Sequence, residues 1–171
     1  KPINMKYLIV VAAVSLGFWA CSTPNNQADK ANVDLVNAYI ASVENMDFES
    51  MDKYLADDYM GLGPSYGDTI RKAEAVENWK ANVETLYEKI HYNLSRSIAV
   101  TIPDGDNKGN WVGNWAELNI VYKDNKGSVT IWANTNYMVE NGKIIRSITF
   151  YNEADALRQL GYKIVPPEVQ E

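Results

Sequence analysis

From Val33 onward the chain is patterned first at helical and then at strand period. Val33, Val36, Ile40 and Val43 recur at intervals of three and four, and Leu35 and Tyr39 widen the stripe, so one face of a helix is apolar. Asp47 is placed to cap a short second helix carrying Phe48, Met51 and Leu55. Gly61, Gly63, Pro64 and Gly67 then break the chain into a turn-rich stretch. A third helix is predicted to open at Asp68 or Thr69, with Ala73, Val76, Trp79, Val83 and Leu86 on one side. After Tyr87 the period falls to two. His91–Ile102, Asn110–Lys123, Ser128–Glu140 and Lys143–Asn152 are rich in β-branched and aromatic residues and read as strands. Pro103–Lys108, Asp124–Gly127 and Asn141–Gly142 are the turns between them, the last a strong two-residue hairpin because Asn-Gly suits a type I′ turn. Glu153–Leu160 closes as a short helix stopped by Gly161.

Helices followed by a meander of long strands predict an α+β fold: a curved antiparallel sheet with the N-terminal helices packed over one face. Long strands twist and curl, so helices closing such a sheet make a cone with a cavity inside. A cavity of mostly apolar walls with a few polar groups is the usual form of a small-molecule site.

The first residues have a separate character. Met5 and Lys6 are followed by Tyr7–Ala20, apolar apart from Ser15 and Gly17 and too short to span a bilayer. A positive start, a short apolar core and a small residue at the cut describe a signal peptide over residues 1–20. Cys21, the only cysteine, directly follows Ala20 and precedes a polar tether over 21–30. This resembles a bacterial lipoprotein signal, in which the cysteine is lipidated and holds the protein at the cell envelope. A plain secretory signal with an incidental cysteine is the alternative. Residues 31–165 then form one domain and 166–171 a tail.

Charge narrows the partners. The net charge is −6, and Lys1 and Lys6 both fall within the signal, so the domain itself is more acidic still. A clustered positive surface for nucleic acid is absent from the pattern, as is a polybasic membrane segment. One histidine and one cysteine leave no ordinary zinc ligand set, and no Gly-rich phosphate loop precedes a helix, so no metal and no cofactor are expected.

Three stretches resemble the nuclear-transport-factor-2-like superfamily, in particular its SnoaL-like and ketosteroid-isomerase-like members. They are Asn37-Ala38-Tyr39-Ile40 running through Asp47 to Leu55-Ala56-Asp57-Asp58-Tyr59, the third helix with Trp79, and Glu140-Asn141-Gly142-Lys143-Ile144 running through Phe150-Tyr151-Asn152 to Leu157-Arg158-Gln159-Leu160-Gly161. The likeness covers about Ala31 to Tyr162 and implies the cone-shaped fold. It says little about function, because the same fold carries many chemistries and many non-enzymes. For a ketosteroid-isomerase-like site, the resemblance puts Tyr39 at the first oxyanion donor and Asn134 at the second, where the family uses a protonated aspartic acid and an amide can also donate. The family's general base, just before a proline, falls on Gly63, which carries no proton-transfer group and argues against that chemistry. His91, the one histidine, reads as a rim residue.

Parity along the strands, with the family register, gives an expected cavity wall. Ser147, Thr149 and Tyr151, together with Ile145, share one face of the last strand; Trp132, Asn134 and Asn136 share one face of the strand before it. Asn114, Ala116, Leu118 and Ile120 join them unless a bulge inverts that strand. Tyr39 and Trp79 enter from the helices. The expected ligand-binding residues are therefore Tyr39, Trp79, Trp132, Asn134, Asn136, Ser147, Thr149 and Tyr151; no catalytic residue is assigned. Trp111 and Trp115 fall on the opposite parity and suggest a homodimer contact on the outer face. The leading reading is an envelope-anchored protein that binds a small, partly apolar ligand. An isomerase, cyclase or hydratase acting on a small carbonyl or polyketide-like substrate is the alternative, and a structural dimerisation module the second.

Overall fold

A computed structural model describes residues 26–163 and 165. The segment read as a signal peptide, Cys21 and the stretch read as a tail from Pro166 lie outside the described residues. Helix α1 (Asn26–Glu44) and helix α2 (Phe48–Tyr54) lead into strand β1 (Leu55–Leu62) and the short β2 (Thr69–Arg71). Helix α3 (Lys72–Thr85) is followed by four long strands, β3 (Tyr87–Ile102), β4 (Gly109–Tyr122), β5 (Gly127–Glu140) and β6 (Lys143–Tyr151), and by helix α4 (Glu153–Gln159). The six strands form one sheet in the order β2-β1-β6-β5-β4-β3, antiparallel throughout except that β1 runs parallel to β6. The expected α+β cone is present, with one strand pair more than the meander.

The local signals act as their chemistry requires. Asp47 caps α2 by accepting a hydrogen bond from the Ser50 amide at 3.1 Å, and Asn152 caps α4 by accepting from the Asp155 amide at 3.0 Å. Both turn residues of the β5–β6 hairpin have positive φ, Asn141 at 50° and Gly142 at 71°, as a type I′ turn demands. Gly161, at φ 87°, ends α4 with its own amide and that of Tyr162 turned back to the carbonyls of Arg158 and Leu157.

Three boundaries differ from expectation. The segment read as a tether is helical from Asn26, where Gln27, Ala28 and Lys30 favour helix and Lys30 pairs with Asp34 one turn on. The third helix opens at Lys72, because Thr69–Arg71 is drawn into β2 against Met60–Leu62. The last part of the second helical stretch, from Leu55, is extended and pairs with β6.

The largest core cluster sits where α1 crosses the concave face. Val36, Tyr39, Ile40 and Val43 of α1 pack with Met51, Leu55 and Tyr59, and with Val112, Tyr137, Val139 and Ile144 of the sheet. A second cluster of Ile90, Ile120, Val129, Ile131 and Ala156 lies towards the other end, under α4. Between them the sheet is bent by irregularities in β3 near Leu94 and in β6 at Ile145.

Candidate functional site

Helices α1, α3 and α4 close over the concave face and leave a cavity of about 570 Å³. Tyr39 and Val43 enter from α1, Ala75, Asn78, Trp79 and Asn82 from α3, and Ala156 and Leu157 from α4. The floor is strand residues of a single parity: Asn114, Leu118, Ile120 and Tyr122 from β4, Val129, Ile131, Ala133, Thr135 and Tyr137 from β5, and Ser147, Thr149 and Tyr151 from β6. Seven tyrosines line it: Tyr39, Tyr59, Tyr87, Tyr92, Tyr122, Tyr137 and Tyr151.

Of the expected ligand-binding residues, Tyr39, Trp79, Ser147, Thr149 and Tyr151 stand on the cavity wall. Trp132, Asn134 and Asn136 do not, and this is a correction. They lie on the convex face, where Trp132 is 66% exposed and Asn134 sits beside Trp115 and Phe150. The cause is one residue. A regular two-residue hairpin would continue the pairs Glu140↔Lys143 and Val139↔Ile144 and set Asn134 opposite Thr149. Instead Met138 pairs with Arg146, so Ile145 is left without a partner as a bulge. Beyond it Thr149 faces Thr135 and Ser147 faces Tyr137, so every inward position on β5 shifts by one. Ile145 is likewise displaced from the expected wall: Ile144, fully buried, takes the core position before the bulge. Of the β4 expectation, Asn114, Leu118 and Ile120 stand on the cavity wall, and Ala116, fully buried, shares their parity without lining it; the pairing of Asn114 with Thr135 puts β4 in step with the shifted β5.

The polar groups in and behind the cavity are largely matched to one another. The Tyr59 hydroxyl and Ser147 Oγ are 2.7 Å apart, and the hydroxyls of Thr135 and Thr149 are 3.2 Å apart. Asn114 Nδ2 donates to Ser95 Oγ, Ser97 Oγ and the Arg96 carbonyl at 2.9–3.1 Å. On the other face Asn134 donates to the Asn114 carbonyl and Asn136 donates to Asn134. The pairing removes the desolvation cost that an unpaired buried amide or hydroxyl would carry.

Burial sets the ionisation of the phenols. Desolvation, reinforced by Tyr59 and Tyr92, holds the Tyr39 hydroxyl well above its ordinary range, and desolvation with Tyr92 and Tyr39 does the same for Tyr137. Burial pushes Tyr92 up to about 12, with a smaller contribution from Glu44. All are neutral hydrogen-bonding groups at physiological pH. The rings of Tyr39 and Tyr137 meet edge to face at 5.8 Å, which fixes both hydroxyls at the α1 end of the cavity.

The oxyanion pair that the resemblance implied is not assembled. Tyr39 faces the cavity and Asn134 faces away from it, with the sheet between them. Gly63 stands beside the cavity, but its φ is 88° and a Cβ there would lie 2.4 Å from the Thr149 carbonyl oxygen. That position is built for close backbone approach rather than for a side chain. His91 pairs with Glu44 at the end of α1, half exposed and off the cavity wall. Among the described residues no group of three His, Cys, Asp or Glu side chains is placed to hold a metal ion, and no helix is long and apolar enough to cross a membrane.

Sequence reasoning missed Tyr59, Tyr87, Tyr92, Tyr122 and Tyr137. Tyr122 alternates with Ile120 on the strand parity already read as inward and was accessible from that signal. Tyr137 was lost with the parity of β5.

No protein-family model matches this chain, and no curated protein matches it. Solved structures do. A candidate polyketide cyclase from Xanthomonas campestris is 16% identical, with a TM-score of 0.63 over 77% of this chain and 98% of its own. A protein of ketosteroid-isomerase-like fold from Catenulispora acidiphila, in complex with trimethylamine, is 16% identical, with a TM-score of 0.61 over 85% and 100%. A nuclear-transport-factor-2-like protein from Burkholderia xenovorans is 15% identical, with a TM-score of 0.59 over 77% and 97%. Each likeness covers nearly the whole of the matched protein. The chain has the nuclear-transport-factor-2-like fold, shared with SnoaL-like and ketosteroid-isomerase-like proteins.

Proposed function

We propose that this is a small-molecule-binding protein of the bacterial envelope, anchored through a lipid on Cys21, that holds a partly apolar ligand in the cone without ketosteroid-isomerase-type proton transfer. The observation that carries the reading is the composition of the cavity wall: apolar strand and helix residues interrupted by neutral hydroxyls, in a volume of about 570 Å³, which is the size and polarity of ordinary ligand sites. The Thr135–Thr149 contact, at 3.2 Å, is a long one for two hydroxyls and the easiest for a ligand oxygen to replace. The contact of Gly63 with the Thr149 carbonyl supports the absence of the family's base at that place. The trimethylamine held by the Catenulispora protein supports a small molecule as the class of occupant.

A second reading keeps an isomerase, cyclase or hydratase activity. It rests on the neutral hydroxyl of Tyr39, which can donate to a carbonyl oxygen, and on the fold it shares with a candidate polyketide cyclase. Its partner would be Tyr137 or the Tyr59–Ser147 pair, not Asn134.

The convex face is proposed as the homodimer contact. Trp115 and Phe150, 44% and 54% exposed, flank Asn134 on one cross-strand row, with Trp132 beside them. Large apolar side chains grouped in this way on water mark an association surface. Trp111, expected to share that role, is only 5% exposed and donates its indole N–H to the Asn107 carbonyl at 2.8 Å, so the β3–β4 loop already covers it.

Native mass spectrometry of protein purified without denaturation tests the reading. An adduct that leaves on denaturation is the expected result, together with a dimer envelope. A cavity that takes up no small molecule, either carried through purification or added from an apolar panel, would contradict it.

A further inference from the structure

One end of the cavity differs from the rest in both shape and charge. Trp79 and Tyr87 have ring centroids 6.0 Å apart, and Tyr87 and Tyr122 meet edge to face at 5.6 Å. Tyr151 completes this group from β6, packed with them against Ile120, Val129 and Ala156. The Glu153 carboxylate stands at the rim, one turn residue after Tyr151. Its charge reaches the tyrosine: after burial, Glu153 is the largest cause that raises the Tyr151 hydroxyl, and Tyr122 and Asp68 push the same way. Neither Glu153 nor Asp68 forms an ion pair among the described residues. Among the described residues no lysine, arginine or histidine lines the cavity.

These facts sort ligands by charge. An anion entering here would lose water and meet aromatic rings and a carboxylate, with neutral hydroxyls as donors but no positive group among the described lining residues to offset its charge. A neutral apolar group would find the walls but gain nothing from the rim. A cation of low hydration gains from both. Ring faces attract it through their quadrupoles, and a weakly hydrated ammonium gives up little to reach them.

We propose that the aromatic end formed by Trp79, Tyr87, Tyr122 and Tyr151, with Glu153 at its rim, binds the alkylammonium group of a cationic small molecule whose uncharged body lies along the cavity. This rests on the cavity being a ligand site, as proposed above, and names the chemical class of its occupant. A tertiary or quaternary ammonium fits better than a primary one, because its alkyl groups pack on aromatic rings and it gives up less hydration than an –NH₃⁺, which needs three acceptors at once. The uncharged body then reaches the hydroxyls of Thr135, Thr149 and Tyr39. Glu153 is exposed, so water screens it, and the rings supply the greater share of the selectivity.

Choline and its uncharged isostere 3,3-dimethylbutan-1-ol separate charge from shape. Their binding to the purified protein is measured by calorimetry, alongside quenching of Trp fluorescence. The expected result is choline about tenfold tighter than the alcohol, between the values of an exposed and a desolvated cation–π contact. Glu153→Gln should weaken choline a few-fold and leave the alcohol unchanged, while Tyr122→Leu should remove most of the preference and keep the apolar wall. Equal affinity for the two compounds would overturn the ammonium assignment and leave the cavity a ligand site. Binding of neither would overturn it as well, and the native mass spectrum then decides the cavity separately.

Discussion

Strand β5 carries two surfaces of opposite character on alternate residues. On its concave side Val129, Ile131, Ala133, Thr135 and Tyr137 form the cavity floor, and the hydroxyls among them are neutral and paired or fixed by ring contacts. On its convex side Trp132, Asn134 and Asn136 lie towards water, with Trp115 and Phe150 as cross-strand neighbours. Both sides are rich in aromatic residues, so composition does not tell them apart. The difference lies in what stands opposite: three helices on one side, and on the other, among the described residues, the β3–β4 loop over Trp111. Which residues belong to which side is decided by the bulge at Ile145, because a pleated strand sends neighbours to opposite faces and one extra residue exchanges them.

Inserting one residue between Arg146 and Ser147 attacks that division directly and has the largest expected effect. With Met138 still opposite Arg146, Ser147, Thr149 and Tyr151 would each move to the outward parity of β6, and the protein should lose cooperative denaturant unfolding altogether. A variant that unfolds cooperatively at an unchanged midpoint would mean that the residue count of β6 does not set the faces. Truncating a concave-side core residue comes next. Ile144→Ala, at a fully buried position, should cost about 3 kcal/mol in denaturant titration.

Alkaline pH should separate the two faces without mutation. Burial pushes Tyr87 and Tyr92 up to about 12, above the value of about 10 for an unfolded tyrosine. The folded state therefore holds these protons more tightly than the unfolded one. Their contribution is complete below about pH 10 and is lost as pH rises towards 12. Stability measured across that window should fall, with phenolate absorbance appearing together with loss of structure; a flat profile to pH 12 would show these phenols to be accessible. The smallest effect on folding is expected on the convex side. Trp132→Ser should change monomer stability by no more than about 0.5 kcal/mol while shifting the dimer towards monomer in light scattering.

Much of the fold was legible because it depends on short-range chemistry. Asp47, Asn152, Asn141-Gly142 and Gly161 marked caps and turns whose geometry is set within a few residues, and the stripe of α1 named its buried face. Strand β1 was not legible. Asp57 and Asp58 interrupt its alternation, and its parallel pairing with β6 joins residues far apart in the chain. The cavity was half legible. Ser147, Thr149 and Tyr151 were placed from their own strand, whereas Trp132, Asn134 and Asn136 were placed through a register that Ile145 breaks. Ile145 looks like an ordinary strand residue, since a β-branched side chain does not announce a bulge. The tyrosines from β1, β3 and β5 converge only in three dimensions.

The most direct test of the division places the same bulk on two adjacent residues of β5. Ala133→Trp puts an indole into the cavity, and Asn134→Trp puts one on the convex face, and both are compared with the unaltered protein by native mass spectrometry after folding is verified by circular dichroism. The account predicts that Ala133→Trp takes up no small molecule while Asn134→Trp keeps the uptake of the parent. Uptake retained by Ala133→Trp and lost by Asn134→Trp would put the ligand on the other face of the sheet and contradict it.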